Sequence, residues 1–410
     1  MEDPIRETAL LSPPDDDAVS NAEPALDQTD YGNLTFYLRR MTQSFTDKPF
    51  TPPDSLILSS LIYLDFEEYP LSDITGFDRV ALIDFLRFTP YEHMVAGSWL
   101  KEGNDVAPFL DALARSPRFK DLAVSFYQNE KSENFDKQFC AATFTAEGMP
   151  PYIAYRGTDG SVRGWKEDFD LAYKEIIPSH QSALRYLSGA LSSLPPDTMV
   201  NIGGHSKGGN LAEYAAAAID DAGFARIEAL YNHDGPNFLQ DPSPRYRSAA
   251  YRKKRRKYVP ESSVFGMILE YDSSFRIVRS SAATVFQHRP LTWIVADDDF
   301  AYQDELNTSA QLFDETLDKW LKSCSPKQRE LFLTTIFDLV MSTDAKSWEE
   351  FQRKLVSNMA RMVKEGRNLD DETKEVLINT LSRLGGVLRK TTTNYFTEKI
   401  ARVFPRNTNV

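Results

Sequence analysis

A serine flanked by glycines is the first feature of the sequence that could carry out chemistry. Gly204, Ser206 and Gly208 belong to the stretch GGHSKGGN and match the pattern G-x-S-x-G. The run MVNI precedes this stretch and LAEYAAAA follows it, so the motif falls between a predicted strand and a predicted helix. Such a tight turn exposes a serine hydroxyl at the carboxyl end of a strand and leaves room only for glycine on either side. We predict Ser206 as a nucleophile; a glycine turn with an idle serine is the alternative.

A serine needs a base, and two histidines follow the motif. His288, in TVFQHRPLTW, comes just after the predicted strand FRIVRSS. The last strand of a sheet would deliver a base to the serine at that point. His233 is the second candidate, but it lies inside a predicted strand segment, which is typical of a core histidine. We therefore predict His288 as the base.

Three carboxylates are candidates for the acid that orients the imidazole. Asp234 ends the predicted strand RIEALYNHDG, Glu261 follows the strand RKYVP, and Asp272 precedes the strand FRIVRSS. The acid must reach the imidazole nitrogen remote from the serine. Asp234 is preferred because its strand ends at the same sheet edge as the serine turn. Asp272 and Glu261 remain alternatives, and a turn-capping role in the HDGP loop is the structural interpretation of Asp234.

The helix that follows the motif would begin with free backbone N–H groups, which can stabilise a developing oxyanion. The N–H of Lys207 is one predicted donor. With five histidines and two cysteines, the chain has no spacing typical of metal ligands, and the predicted chemistry needs no cofactor.

Three regions are expected along the chain. Residues 1–30 are rich in proline and aspartate and predict a disordered acidic tail. Residues 31–300 alternate strand and helix patterns, which predicts an α/β fold with a mostly parallel sheet flanked by helices. Residues 301–410 keep helical spacing and predict a helical C-terminal subdomain. Helices are expected at 54–66 with Asp54 as N-cap, 78–88, 104–116, 180–194 and 210–223, and a β-hairpin at 138–158.

Charge and apolar content restrict the function classes. The net charge of −13 disfavours binding to nucleic acid or to anionic membranes overall. The N-terminus has no apolar core of signal-peptide length, and no apolar run is long enough to span a membrane, so a cytoplasmic protein is expected. The basic run at 252–257 is expected in a solvated loop; peripheral contact with anionic lipid headgroups is the alternative.

Together, YIAYRGTDGSVRGWKEDF, GGHSKGGNLAEYAA and QHRPLTW resemble the class 3 lipases. The chain is more closely similar to an uncharacterised bacterial family of α/β-hydrolases related to those lipases. The resemblance covers roughly residues 30 to 300 and implies an α/β-hydrolase fold. It also implies Ser206 as nucleophile, His288 as base, and Thr158, after Arg156 and Gly157, as an oxyanion-hole residue. Asp168 would hold the loop after the oxyanion strand or shape the acyl pocket.

Two departures from the lipase pattern stand out. Class 3 lipases carry the catalytic aspartate just before a Val-Pro pair, whereas Lys257 and Tyr258 precede Val259 and Pro260 here. The acid must therefore come from elsewhere or be missing. Lys207 stands where lipases commonly carry an apolar residue, and its side chain is expected in solvent, with recognition of an anionic acyl group as the alternative.

The sequence thus predicts a serine hydrolase that cleaves a carboxylic ester, with a lipid or other acyl ester as substrate. A thioesterase or acyltransferase would use the same triad, and fold and triad do not separate these activities. A non-catalytic binding protein that kept the serine turn is a further alternative, supported by the missing aspartate before Val259 and by the long helical C-terminal region.

Overall fold

The structure is a computed structural model. It describes residues 31–67, 79–96, 98–131, 137–159, 165–270, 273–308, 310–311 and 324–343, with a few isolated positions after residue 311. The predicted acidic tail at 1–30 lies outside the described residues, as does most of the chain beyond residue 343.

A mixed sheet of nine strands forms the centre of the described chain, in the order β12-β9-β8-β7-β6-β5-β4-β3-β2. A smaller sheet has the order β1-β10-β11. The strands are β1 (Tyr31–Gly32), β2 (Arg79–Ala81), β3 (Ala123–Lys131), β4 (Gln138–Thr145), β5 (Tyr152–Tyr155), β6 (Val200–His205), β7 (Ile227–His233), β8 (Arg255–Pro260), β9 (Phe275–Val278), β10 (Val295–Ala296), β11 (Asp299–Phe300) and β12 (Tyr302–Gln303).

Only the centre of the large sheet is parallel. Strands β5 to β9 pair in parallel with one another in sequence. On one side β2, β3, β4 and β5 pair antiparallel, and on the other side β12 pairs antiparallel with β9. The prediction of an α/β fold is confirmed, and the mostly parallel sheet becomes a parallel centre with antiparallel edges. The expected hairpin at 138–158 is the β4–β5 pair.

The helices are α1 (Leu34–Arg40), α2 (Pro52–Leu61), α3 (Leu82–Phe88), α4 (Tyr91–Met94), α5 (Val106–Arg115), α6 (Trp165–Asp170), α7 (Pro178–Ser193), α8 (Lys207–Ala218), α9 (Asp221–Ala225), α10 (Ala249–Lys254) and α11 (Pro326–Met341). Short 3₁₀ helices span Trp99–Glu102, Thr284–His288 and Pro290–Thr292. The helix expected to run to Gly223 ends instead at Ala218, because the side chain of Asp220 caps a separate helix, α9. The helix expected at 78–88 begins with strand β2.

Helices cover both faces of the sheet. Along β4, Phe139 and Ala141 belong to the core with α7 and α8, whereas Cys140 and Ala142 belong to the core with α1, α2 and α5. This alternation follows from the two-residue period of a strand. Helix α2 is buried along almost its whole length. Its N-cap is Thr51 rather than the predicted Asp54, which instead completes a capping box from the third helical position.

The sheet continues past the boundary predicted at residue 300, since β12 pairs with β9. Beyond it, α11 packs against α6 and is part of the helical region expected after that boundary. No helix in the described ranges has both the length and the apolar character needed to cross a membrane.

Candidate active site

Ser206 occupies the turn between β6 and α8. Its φ of 58° and ψ of −134° lie outside the regions that L-residues ordinarily adopt. A β-carbon on Gly204 would lie 2.4 Å from the carbonyl carbon of Gly208, and one on Gly208 would lie 2.0 Å from the carbonyl oxygen of Tyr155. Contacts this short exclude any side chain, which is the physical reason for glycine on both sides of Ser206.

The predicted site residues meet at one edge of the sheet. Thr158 follows β5, Ser206 follows β6, and Asp234 follows β7. These three strands are parallel neighbours, so their carboxyl ends share an edge. That edge is where ligands bind in open α/β sheets. His288 ends the 3₁₀ helix Thr284–His288, beyond β9.

His288 and Asp234 form a hydrogen-bonded pair. Nδ1 of His288 lies 2.6 Å from Oδ2 of Asp234. The imidazole contacts two other rings, with its centroid 4.3 Å from that of Phe265 and 4.4 Å from that of His205. Because Nδ1 is bonded to the carboxylate, Nε2 is the nitrogen left to act on a substrate or nucleophile. Oγ of Ser206 has no hydrogen-bond partner among the described residues.

The carboxylate of Asp234 is fully buried and held at both oxygens. Its Oδ1 accepts hydrogen bonds from the Ser263 hydroxyl at 2.5 Å and from the Gly266 N–H at 3.0 Å. The backbone N–H of Asp234 donates to the carbonyl of Tyr258 on β8, at 2.8 Å. A buried carboxylate with this many donors is fixed in position, and it faces His288 with its other oxygen.

The other described candidates, Glu261 and His233, have other hydrogen-bond partners. Glu261 accepts a hydrogen bond from the side chain of Gln287, at 3.2 Å, and makes no bond to His288. Asp272 lies outside the described residues. His233 is fully buried, and its Nε2 lies 2.8 Å from the Ser55 hydroxyl on α2. This histidine is therefore part of the contact between the sheet and α2.

The backbone N–H groups of Thr158 and Lys207 are the two predicted oxyanion donors. Neither the N–H of Thr158 nor the N–H of Lys207 has an acceptor among the described residues. Lys207 is the first residue of α8, where helix geometry leaves the N–H without a partner. The two groups follow neighbouring parallel strands, β5 and β6. Paired free N–H groups beside a serine are suited to stabilise a negative oxygen.

The side chain of Thr158 is anchored by Asp168 on α6. The threonine hydroxyl donates to Oδ2 of Asp168 at 2.5 Å, whereas the buried Oδ1 has no partner among the described residues. Burial raises the pKa of Asp168 to about 6, against the lowering effects of Lys207 and of the Thr158 hydrogen bond. Asp168 therefore holds the segment after β5, as its structural interpretation predicted.

Lys207 does not extend into solvent as expected. Its ammonium group is buried, donates to Glu167 at 2.7 Å, and donates to the backbone carbonyl of Gln138 at 3.0 Å. Lys207 holds the pKa of Glu167 below its usual value in spite of burial. The ammonium group is therefore paired inside the protein, where its bonds connect the start of α8 to α6 and β4. It is not free to bind an anionic acyl group.

A model of the Mbeg1-like family matches residues 113–338, which is more than half of the chain. The chain belongs to the Mbeg1-like family. This family is lipase-like, in agreement with the resemblance to class 3 lipases. The matched segment contains Thr158, Ser206, Asp234 and His288. A search of curated proteins found no match.

The basic run of this Mbeg1-like chain is only partly exposed. Arg255 is buried and donates to Glu213 at 2.8 Å, and Lys257 is buried against Glu270. Both basic side chains lie on β8 and alternate with the exposed Arg256. Two of the three basic residues that the run places on β8 are therefore buried. In the described part of the chain, no group of three or more His, Cys, Asp or Glu side chains is arranged to hold a metal ion.

Sequence reasoning missed the residues that support the site of this Mbeg1-like protein. Ser263 and Gly266 lie in the stretch VPESSVFGMIL, where the sequence indicated Glu261 as a candidate acid but neither of these two residues. Glu167 is separated from Lys207 by 40 residues. No local pattern signals such contacts, because they depend on which loops the fold brings together.

Proposed function

We propose that this Mbeg1-like protein is a serine hydrolase of the α/β-hydrolase type that cleaves a carboxylic ester, with a lipid or other acyl ester as substrate. The observation that carries the proposal is the 2.6 Å hydrogen bond between His288 and Asp234 at the sheet edge where Ser206 stands at positive φ. Sharp turns of this kind and carboxylate-bound imidazoles serve acyl transfer on many folds.

In the proposed reaction, Oγ of Ser206 attacks the ester carbonyl while Nε2 of His288 takes the hydroxyl proton. Asp234 stabilises the imidazolium through Nδ1–H. The N–H groups of Thr158 and Lys207 bind the oxyanion of the tetrahedral intermediate. His288 then gives its proton to the departing alcohol, which leaves an acyl group on Ser206. Water, deprotonated by His288, attacks this acyl-enzyme and releases the acid and the free serine.

A lipid substrate would bring the protein to a membrane surface, and the basic run at 252–257 supports peripheral contact only in part. Arg252, Lys253 and Arg256 are exposed, whereas Arg255 and Lys257 are buried. Each exposed basic residue contributes about 1 kcal/mol near an anionic surface. The proposed contact therefore rests on the exposed residues of the run.

Two alternatives use the same geometry. A thioesterase or an acyltransferase would proceed through the same acyl-enzyme, and only the leaving group or the acceptor would differ. A non-catalytic binding protein is favoured by one observation, the absence of a described hydrogen-bond partner for Oγ of Ser206. Against it, catalytic hydrogen bonds in unliganded sites often form only when the substrate is bound.

Covalent labelling with a fluorophosphonate probe tests the proposal on the full chain. The probe reacts with serines that a base activates. We expect labelling of the unaltered protein, and none after Ser206→Ala or His288→Ala. Thermal unfolding of each variant controls for loss of the fold. The measurement is made with and without phospholipid vesicles, because a lipid surface can expose a covered serine.

Persistent absence of labelling in the folded protein, with and without vesicles, would contradict the proposal and favour the binding protein. Labelling that survives Ser206→Ala would identify a different nucleophile. Where labelling depends on Ser206, rates on oxyesters and thioesters of the same acyl length separate an esterase from a thioesterase. Addition of an alcohol acceptor then tests for acyl transfer.

A further inference from the structure

Tyr63 brings a hydroxyl from outside the family match to the edge of the proposed active site. It lies two residues after the end of α2, and its side chain is buried. The N–H of Gly157 donates to its hydroxyl oxygen at 3.1 Å. The same oxygen lies 3.3 Å from Nδ1 of His205. Tyr63 thus contacts both the segment after β5 and the residue immediately before Ser206.

His205 continues this contact to the loop of the base. Its Nε2 lies 2.7 Å from the backbone carbonyl oxygen of His288. Burial, together with the neighbouring imidazole of His288, holds the pKa of His205 well below its usual value, so the imidazole of His205 is neutral. A neutral imidazole carries one N–H, and a carbonyl oxygen only accepts. Nε2 of His205 is therefore the protonated nitrogen, and Nδ1 is an acceptor.

The direction of each hydrogen bond follows from this assignment. Because Nδ1 of His205 accepts, the Tyr63 hydroxyl donates to it and accepts from the Gly157 N–H. The hydroxyl also lies 3.5 Å from the carbonyl oxygen of His205, so its hydrogen goes to His205 in either geometry. The Gly157 N–H donates to the Tyr63 hydroxyl, this hydroxyl donates to Nδ1 of His205, and Nε2 of His205 donates to the carbonyl of His288. Each donor and each acceptor in this chain is used once.

We propose that Tyr63 and His205 are positioning residues, which hold the oxyanion segment, the serine turn and the base loop in register through this chain. The inference rests on the proposed function for its catalytic consequence. Tyr63 and His205 act through the backbone of Gly157 and His288, and His205 also through its ring contact with the His288 imidazole. The chain also accounts for Gly157, since a β-carbon there would lie 2.3 Å from the Tyr63 hydroxyl and 3.1 Å from Cβ of Ser206.

A matched control is another buried tyrosine nearby, which joins α2 to β5. The hydroxyl of Tyr152, on β5, lies 2.8 Å from the Ser59 hydroxyl on α2. Tyr63→Phe and Tyr152→Phe each remove one buried hydroxyl and keep the ring. Both variants lose a hydrogen bond between α2 or its end and the sheet, but only Tyr63→Phe breaks the chain to His288.

Steady-state rates on an ester substrate provide the first test. We expect Tyr63→Phe to lower kcat about 10-fold and His205→Leu about 100-fold with KM little changed, since small misplacements of catalytic groups cost rates of this size. His205→Gln, whose amide N–H can still reach the His288 carbonyl, is expected to retain most of the rate. Tyr152→Phe is expected to leave kcat unchanged. An unchanged kcat in Tyr63→Phe, or an equal loss in Tyr152→Phe, overturns the proposal.

The double variant Tyr63→Phe/His205→Leu tests whether Tyr63 and His205 act through one hydrogen-bonded chain or independently of each other. If Tyr63 acts partly through His205, then Tyr63→Phe lowers kcat by less than about 10-fold once His205→Leu is in place, because only the Gly157 contact is then left to lose. Independent contributions would multiply, to a loss of about 1,000-fold. A multiplicative result contradicts the proposed chain even where both single variants are slow.

A measurement that needs no activity keeps the inference separate from the proposed function. In ¹⁵N NMR spectra of the full chain, Nε2 of His205 is expected to be protonated at neutral pH, and the Nδ1 resonance is expected to move in Tyr63→Phe. Amide hydrogen exchange in residues 284–289 is expected to accelerate in Tyr63→Phe and His205→Leu, but not in Tyr152→Phe. If these NMR and exchange changes are observed but the unaltered chain has no esterase activity, the proposed function is refuted and the hydrogen-bonded chain is not. Protonation at Nδ1, or exchange unaffected by Tyr63→Phe, would refute the chain.

Discussion

Asp234 and Asp168 are two carboxylates near the same imidazole, and their surroundings differ. Asp234 has a partner at each oxygen, from Ser263, Gly266 and His288. Asp168 has one hydrogen bond, from Thr158, and its Oδ1 has no partner among the described residues. Asp234 is bonded to the proposed base, His288, and Asp168 is bonded to Thr158, a proposed oxyanion residue.

The difference shows how one site can keep two acids for two purposes. Burial raises the pKa of Asp168 to about 6, because the ionised form loses water and gains, among the described residues, one hydrogen bond together with the charge of Lys207. Full coordination instead fixes Asp234 as an acceptor for the imidazole N–H. In the proposed mechanism, Asp234 orients His288, whereas Asp168 anchors Thr158.

The largest expected effect is that of Asp234→Asn. The amide can donate to Nδ1 of His288 and so favours the tautomer with the proton on Nε2, which cannot accept the proton of Ser206. A loss of about 10⁴-fold in kcat is expected, with KM little changed. The measurement is the steady-state hydrolysis of a chromogenic ester, with circular dichroism as the check on folding.

Glu261→Gln is the matched control for this variant. Glu261 is the other described carboxylate that the sequence allowed as the acid, and its side chain is bonded to Gln287. We expect kcat of this variant to stay close to that of the unaltered chain. Equal losses in the two variants would mean that the pairing of Asp234 with His288 has no special part in the reaction.

The next largest effect concerns Asp168 and the free energy of unfolding. Loss of a carboxylate with good partners usually destabilises a protein, whereas loss of the Asp168 carboxylate is expected to stabilise this one. The pKa of Asp168 is raised from an ordinary 3.8 to about 6, so the folded protein binds the proton more tightly than the unfolded chain. The stabilisation by the protonated form is complete below about pH 4 and is lost as the pH rises through about 6. Above that, the ionised carboxylate costs up to about 3 kcal/mol.

Asp168→Asn is therefore expected to increase the free energy of unfolding at pH 8 by up to about 3 kcal/mol, and to change it little at pH 4. The amide oxygen still accepts from the Thr158 hydroxyl. Urea unfolding at the two pH values measures the difference. A lower stability of Asp168→Asn at pH 8 would show that ionised Asp168 has a stabilising partner and that the contrast with Asp234 is misplaced.

Sequence patterns predicted the parts of the fold whose signal is local. Helices α2, α5 and α7 and strands β6 to β9 were expected from apolar periodicity, because burial on one or both faces imposes a regular spacing. The two-residue strands β1, β10, β11 and β12 were not expected. A strand that short has no period to detect, and its existence depends on pairing with a distant segment such as β9.

The candidate site divides in the same way. Glycine spacing marked the turn around Ser206, because the crowding there involves Gly204, Gly208 and the neighbouring strand. The donors to Asp234 were not predicted, since Ser263 and Gly266 lie 29 and 32 residues away along the chain. The burial of Lys207 was also not predicted, because its partner Glu167 lies on α6. No local pattern shows that the fold brings α6 next to the start of α8.

Ser263→Ala would leave Asp234 with fewer hydrogen bonds, as Asp168 has, and it is expected to have the smallest effect on kcat. The variant removes the hydroxyl donor to Oδ1 but leaves the Gly266 N–H and His288 in place. Because two of the three hydrogen bonds survive, we expect a loss in kcat of about 10-fold or less, equivalent to about 1.4 kcal/mol. Ser262→Ala is the control at the neighbouring position, since Ser262 makes no bond to Asp234. A loss as large as that of Asp234→Asn would mean that the hydroxyl alone holds the carboxylate, and that the number of donors is not what distinguishes the two acids.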